Sequence, residues 1–160
     1  MELRRRRVVL ATGAFDLLHY GHLRFLEEAK RAGGPGSRLI VIVARDKTVK
    51  ARKGAAPVLP EDQRRALVEA LKPVEKAILG FEQMDMESVI VKVKPDVIAV
   101  GYDQEDIYSA VEGLVREKGY RVRVARIGRF GPDDLDSSSK IKRRVVESFS
   151  RSSPSPLNRP

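Results

Sequence analysis

Thr12-Gly13-Ala14-Phe15-Asp16-Leu17-Leu18-His19-Tyr20-Gly21-His22 is the stretch on which the reading of this chain turns. It follows the apolar run Val8-Val9-Leu10-Ala11 and leads into Leu23-Arg24-Phe25-Leu26-Glu27-Glu28-Ala29-Lys30. The run is short and β-branched at its start, which predicts a buried strand. Leu23 and Leu26 stand three apart, and Phe25, Ala29 and Ala32 recur at i, i+4 and i+7, which predicts a helix. The glycine-bearing turn between them therefore opens a helix. There, backbone N–H groups lack intrahelical partners and a phosphate can bind. His19 and His22 stand at that opening, separated by Tyr20 and Gly21. Imidazole N–H groups donate hydrogen bonds to phosphate oxygens. Gly21 lets a phosphate reach the backbone with no Cβ in the way. The plainer alternative has one histidine capping the helix and the other packed. Two histidines framed by glycines after a strand favour the phosphate reading.

Working outward, strand-like and helix-like segments alternate, which predicts an α/β fold around a parallel sheet. Gly33-Gly34-Pro35-Gly36 stops the first helix, and Leu39–Val43 is an unbroken apolar strand, as in a sheet covered on both faces. Asp46–Lys50 reads as a short helix and Lys50-Ala51-Arg52-Lys53-Gly54 as a basic loop, either a solvated turn or a phosphate contact. Its place after the second strand favours phosphate. Pro60-Glu61-Asp62 starts a helix, with proline in the first turn and acids at the positive dipole end. Ala66, Leu67, Ala70 and Leu71 are expected on its buried side. Lys76–Gly80 is a short strand, residues 84–93 are helical by length, and Met84 and Met86 read as core filler. Val97–Val100 is a buried strand, Ile107, Val111 and Leu114 mark a helix closed by Gly119, and Val122, Val124 and Ile127 alternate as on an edge strand. The serines 137–139 offer caps to a last helix carrying Ile141, Val145 and Phe149. The Ser/Pro-rich segment 150–160 is expected to be disordered, leaving 1–149 as one domain.

In open α/β sheets, ligands bind beyond the carboxyl ends of the strands. Three informative stretches fall there: the histidine turn, Gly101-Tyr102-Asp103-Gln104, and the segment from Arg126 to Ser139. Asp103 accepts from a nucleotide's ribose or base amine, or else caps the next helix. Ser137-Ser138-Ser139-Lys140 is either a cap or a second anion site at a helix N-terminus. In the loop before it, Arg129 is placed to neutralise phosphate and Phe130 to pack on a nucleotide. Lys47, Arg52 and Lys53 are candidates for the phosphate of a second substrate, with Asp16 beside them.

Gly13-Ala14-Phe15-Asp16-Leu17-Leu18-His19-Tyr20-Gly21-His22 resembles the HxGH signature of the nucleotidyltransferase superfamily that includes the cytidylyltransferases. Val43-Ala44-Arg45-Asp46, Gly101–Gln104 and the stretch from Asp133 to Ile141 make the chain most similar to the archaeal FAD synthases. The likeness covers Val8 to Glu147. It implies a Rossmann-like three-layer sandwich with a doubly wound, mainly parallel sheet. It implies transfer of AMP from ATP to FMN, giving FAD and pyrophosphate, with His19 and His22 stabilising the triphosphate. Ala14, Phe15, Tyr20, Gly21, Asp103, Arg129, Phe130, Ser137, Ser138 and Ser139 would then contact the nucleotide. Mg²⁺ would ride mainly on nucleotide phosphates, with Asp16 as an auxiliary contact and no metal fixed by the protein. Relatives are often dimers, so a homodimer stays open. Ala14 stands where cytidylyltransferases usually carry threonine, which counts against cytidylyl transfer. Two alternatives are a cytidylyltransferase acting with CTP on glycerol phosphate or another phosphomonoester, and a non-catalytic nucleotide- or RNA-binding module.

A phosphate monoester near pH 7 already carries about −1.5 to −2 charge, so as a nucleophile it needs no strong base. Positioning and charge neutralisation are then the whole task. The chain has no cysteine, which excludes disulfides, thiolate metal sites and cysteine nucleophiles. No apolar run is long enough to span a bilayer, and no signal core follows Arg4–Arg7. A cytoplasmic location is expected. Lys plus Arg total 31 against 22 Asp plus Glu, a net charge of +9. The excess reads either as attraction for nucleotide phosphates or as a solubilising surface. With nine Phe and Tyr in all, the chain lacks interleaved aromatics for base stacking, so nucleic acid is not the expected partner.

Overall fold

The computed structural model describes residues 5–81, 85–129 and 135–152. In chain order the elements are β1 (Val8–Gly13), α1 (Tyr20–Ala32), β2 (Arg38–Val43), α2 (Asp46–Lys53), α3 (Glu61–Glu69) and β3 (Lys76–Leu79). They continue with α4 (Met86–Val93), β4 (Val97–Gly101), α5 (Glu105–Lys118), β5 (Arg123–Ile127) and α6 (Ser138–Ser152). The five strands form one sheet in the order β3-β2-β1-β4-β5, and each neighbouring pair is parallel. This is the three-layer, doubly wound α/β sandwich expected from the sequence.

Successive side chains of a strand point to opposite faces, so each apolar strand feeds two cores. Val9, Ala11, Leu39, Val41 and Val43 pack with Leu26 and Ala29 of α1 and Val68 of α3. Leu10, Ile42, Ile98 and Val100 pack on the other face with Val89 and Ile90 of α4 and Val111 of α5. From β1 the chain runs outward through β2 and β3, then returns to build β4 and β5 on the other side of β1. The crevice beyond the carboxyl ends of β1 and β4 is thus the topological switch point, where ligands bind in such sheets.

Part of the arginine run at the start belongs to the fold. Arg5 binds the carboxylate of Asp96 at 2.9 Å, and the same carboxylate accepts the Val8 N–H at 2.8 Å. Arg6 pairs with Glu75 at 3.2 Å. Asp96 and Glu75 precede β4 and β3, so these contacts fasten the amino ends of the strands, away from the switch point.

Four local expectations change. The first helix begins at Tyr20, not Leu23, because the two histidines cap it themselves. The basic segment after Lys50 is not a loop: α2 continues to Lys53 and ends on Gly54, whose φ of 76° only glycine adopts freely. On α3 the buried residues are Arg64 and Val68, while Ala66, Leu67 and Ala70 are exposed. The reason is register: Val68 keys the helix to the core, and a guanidinium takes the place one turn before it. Finally, α6 runs through Ser152, past the boundary set at 149, and leaves Val145 and Phe149 exposed. Residues 153–160, expected to be disordered, lie outside the described residues, as does Met84.

Candidate active site

The turn after β1 carries backbone strain that its glycines do not absorb. Phe15 and Leu17 adopt φ values of 52° and 50°. Each such non-glycine conformation costs on the order of 1–3 kcal/mol and persists only where the surroundings dictate it. Three anchors do so here. The Phe15 ring is 3% exposed and sits 5.4 Å from the His22 ring. Asp16, 5% exposed, accepts the N–H groups of Val58 at 2.8 Å and Leu59 at 3.0 Å. Arg64 donates to the Ala14 carbonyl at 2.6 Å. Burial alone would raise the Asp16 pKa. The two backbone N–H groups, with Lys142 and Arg64 nearby, outweigh that and hold it below the ordinary carboxylate value.

His19 is the N-cap of α1 and His22 its third residue, and they cap each other. The Nδ1 of His19 accepts the His22 N–H at 3.4 Å, and the Nδ1 of His22 accepts the His19 N–H at 3.3 Å. This is a capping box built from imidazoles in place of hydroxyl and carboxylate. The rings stack with centroids 3.7 Å apart and 21° between planes. A neutral imidazole accepting at Nδ1 carries its proton on Nε2, so this geometry assigns each ring an Nε2–H donor. Burial pushes the His22 pKa down to about 3, with the charges of His19 and Lys53 acting in the same sense. Burial also lowers His19, opposed by Asp136. Both rings are therefore neutral donors at pH 7.

The histidines line a cavity of about 300 Å³ at the switch point. The same cavity is lined by Ala14, Phe15, Asp16, Gly21, Lys53, Asp103 and Ser137–Ser139, so three separate strand ends converge as expected. Serine Ser138 donates from its hydroxyl to the Asp16 carbonyl, tying the start of α6 to the histidine turn. Not every candidate reaches the cavity. Tyr20 is 53% exposed and outside the lining, as is the exposed Lys47. Arg52 pairs with Asp106 of α5 at 3.4 Å, and Arg129 grips Asp136 at 2.6 Å. Phe130 lies outside the described residues. Asp16 lines the cavity, and each of its carboxylate oxygens accepts one backbone N–H.

Sequence reasoning passed over four participants. Asp136 lines the cavity and holds both Arg129 and Lys140, the latter at 2.7 Å. These two cations hold its pKa down at about 2. Tyr102 and Gln104 join Asp103 in the lining. Arg64 is fully buried. The signal for it was helical register, since Arg64, Val68 and Leu71 stand at i, i+4 and i+7.

Residues 10–144 match the family model described as cytidylyltransferase-like. A Ferroglobus placidus protein named FAD synthase is 50% identical over 86% of this chain and 87% of its own length. A Methanopyrus kandleri protein of the same name is 45% identical over 89% and 94%. Among solved structures, a Thermoplasma volcanium protein described as a lipopolysaccharide core biosynthesis protein superposes with a TM-score of 0.70 at 40% identity, covering 78% of this chain and 98% of that one. With its histidine turn, the start of its serine-led helix and the lining of the switch-point cavity inside the matched span, the chain belongs to the cytidylyltransferase-like family.

Proposed function

We propose that this protein is an FMN adenylyltransferase: it transfers AMP from ATP to the phosphate of FMN, releasing pyrophosphate. Transferase chemistry rests on one observation, the meeting of two imidazole Nε2–H donors, the serine-led start of α6 and Lys53 around a single cavity. The identity of the acceptor rests on relatives 44–50% identical that are named FAD synthase.

A flavin phosphate oxygen attacks the α-phosphorus in line, and the bond to the bridging oxygen of pyrophosphate breaks. Negative charge builds on the leaving group, so donors fixed in advance lower the barrier. His19 and His22 supply two such donors on the α- and β-phosphates. The N-terminus of α6, with Ser137, Ser138, Ser139 and Lys140, takes the distal phosphates; Arg129 stands by through Asp136. Asp103, with Gly21 and the Ala14–Phe15 backbone, receives the rest of the nucleotide. Lys53 faces the acceptor phosphate, with Lys47 and Arg52 on the same helix steering its approach.

Family membership implies a divalent cation, which we take to be Mg²⁺. Among the described residues no group of three or more His, Asp or Glu is arranged to hold one. Asp136 is held by two cations, so Asp103 and Asp16 are the cavity carboxylates that would approach a hard cation already carried by phosphate oxygens. When bound there, such an ion would supply positive charge against the pyrophosphate. No helix among the described residues is long and apolar enough to cross a membrane. A cytoplasmic location, where ATP and FMN meet, and a homodimer belong to the same reading.

Incubation with ATP, Mg²⁺ and FMN should yield FAD and pyrophosphate in equal amounts. CTP with glycerol 3-phosphate is the competing pair. Turnover of that pair in preference to ATP and FMN would overturn the assignment of both substrates.

A further inference from the structure

Beneath the cavity lies a polar node that the chemistry just described does not use. Its centre is Arg64, whose side chain has no solvent exposure. The guanidinium makes three bonds to three different segments. Its Nε donates to the Leu59 carbonyl at 2.9 Å, and one terminal nitrogen to the Ala14 carbonyl at 2.6 Å. The other terminal nitrogen binds the Asp46 carboxylate at 2.7 Å. Ala14 immediately precedes the strained Phe15, Leu59 closes the segment before α3, and Asp46 begins α2, which ends at Lys53.

The bonds close a ring. Leu59 gives its carbonyl to Arg64 and its N–H to Asp16, so both flanks of Phe15 are pinned to the same residue. Phe15 in turn abuts the His22 ring. Stability alone is a weak reason for a charge in this place. A buried ion pair is often matched or bettered by apolar side chains of equal volume. What a guanidinium offers is a planar fork with fixed donor directions, which neither lysine nor a hydrocarbon reproduces. Glu61 extends the node, taking Arg45 at 2.9 Å and the Asp46 N–H at 2.7 Å.

The geometry points to Arg64 as a positioning residue. Its guanidinium sets the turn that aligns the His19–His22 pair and locks that pair to the helix carrying Lys53. Its catalytic consequence rests on the adenylyl-transfer reading; its structural consequence does not. The test compares Arg64→Met and Arg64→Lys with the unaltered protein, well below each unfolding midpoint. Proton–nitrogen correlation spectra of the imidazoles report the tautomers without turnover. Arg64→Met should lose the pattern of two Nε2–H rings. It should slow single-turnover FAD formation about 10²-fold, the scale for an ångström of misplacement, with ATP affinity within about threefold. Arg64→Lys should recover part of the rate, because it keeps the charge and some donors. A folded Arg64→Met with the original imidazole pattern overturns the assignment, as does a rate loss no larger than the unfolded fraction. If Arg64→Met does not fold, Asp46→Ala decides: it frees one arm of the fork at a half-exposed position, and an unchanged imidazole pattern overturns the proposal. If the imidazoles respond but the parent protein makes no FAD, the positioning role stands and the substrate assignment falls.

Discussion

Gly21→Ala is the smallest change that separates the site from the fold. A Cβ on Gly21 would lie 3.0 Å from both Cε1 and Nδ1 of His19 and 3.1 Å from the Asp136 carbonyl oxygen. Those neighbours must yield by a few tenths of an ångström. The His19 Nδ1 already receives the His22 N–H at 3.4 Å, so a further push breaks that bond. It also presses the start of α6 away from the histidine turn. In stability the terms nearly cancel. Alanine is favoured over glycine within a helix by about 1 kcal/mol, while crowding a packed site costs about 1–3 kcal/mol. A net loss of about 0–2 kcal/mol from a domain stable by about 5–15 kcal/mol leaves the unfolded fraction negligible. The rate responds to geometry instead, and should fall about 10- to 100-fold. Denaturant melts give the stability, and chromatographic detection of FAD at saturating ATP and FMN gives the rate. Wild-type turnover in a folded Gly21→Ala protein would refute the idea that ring placement, rather than the mere presence of imidazoles, governs catalysis.

Replacing His19 or His22 by alanine should each lower the rate about 10²-fold or more. Because the rings act as one stacked unit, the double variant should be far less impaired than the product of the two, as steady-state kinetics would show. Asp16→Ala strips two backbone N–H groups of their acceptor and should cost about 1–3 kcal/mol, read from the melting midpoint. The His22 pKa of about 3 in the folded protein lies below the unfolded value of about 6.5, so between these the unfolded state binds more protons. Stability should therefore fall as pH drops from about 6.5 toward 3, and His22→Gln should flatten that slope in melts taken at pH 7.5 and 5. On α3, Leu67→Ala should change stability by less than about 0.5 kcal/mol and Val68→Ala by more than about 1, which denaturation of the two proteins would compare.

The sheet was legible because its strands are continuous apolar runs interrupted by glycine and proline, and Val8–Ala11, Leu39–Val43 and Val97–Val100 admit little else. The cavity was legible because three polar stretches fall at strand ends on one side. Arg64 was hidden by its chemistry: a charged residue beside another, in a helix whose apolar residues Ala66, Leu67 and Ala70 suggested a different buried face. The mutual capping of the histidines was hidden because capping is ordinarily read from serine, threonine, aspartate or asparagine. The anchoring bonds of Asp16 were hidden because nothing local shows that it reaches residues more than forty positions away.

The strand order β3-β2-β1-β4-β5 has an evolutionary corollary. Everything we assign to the acceptor descends from the limb that leaves β1 through β2 and α2, whereas Asp103 and the serine-led helix descend from the limb that returns through β4 and β5. The histidine turn is the hinge-pin common to both. Mutation can therefore remodel the receiving limb while the donor limb keeps its chemistry, which makes a change of acceptor a modular event rather than a redesign.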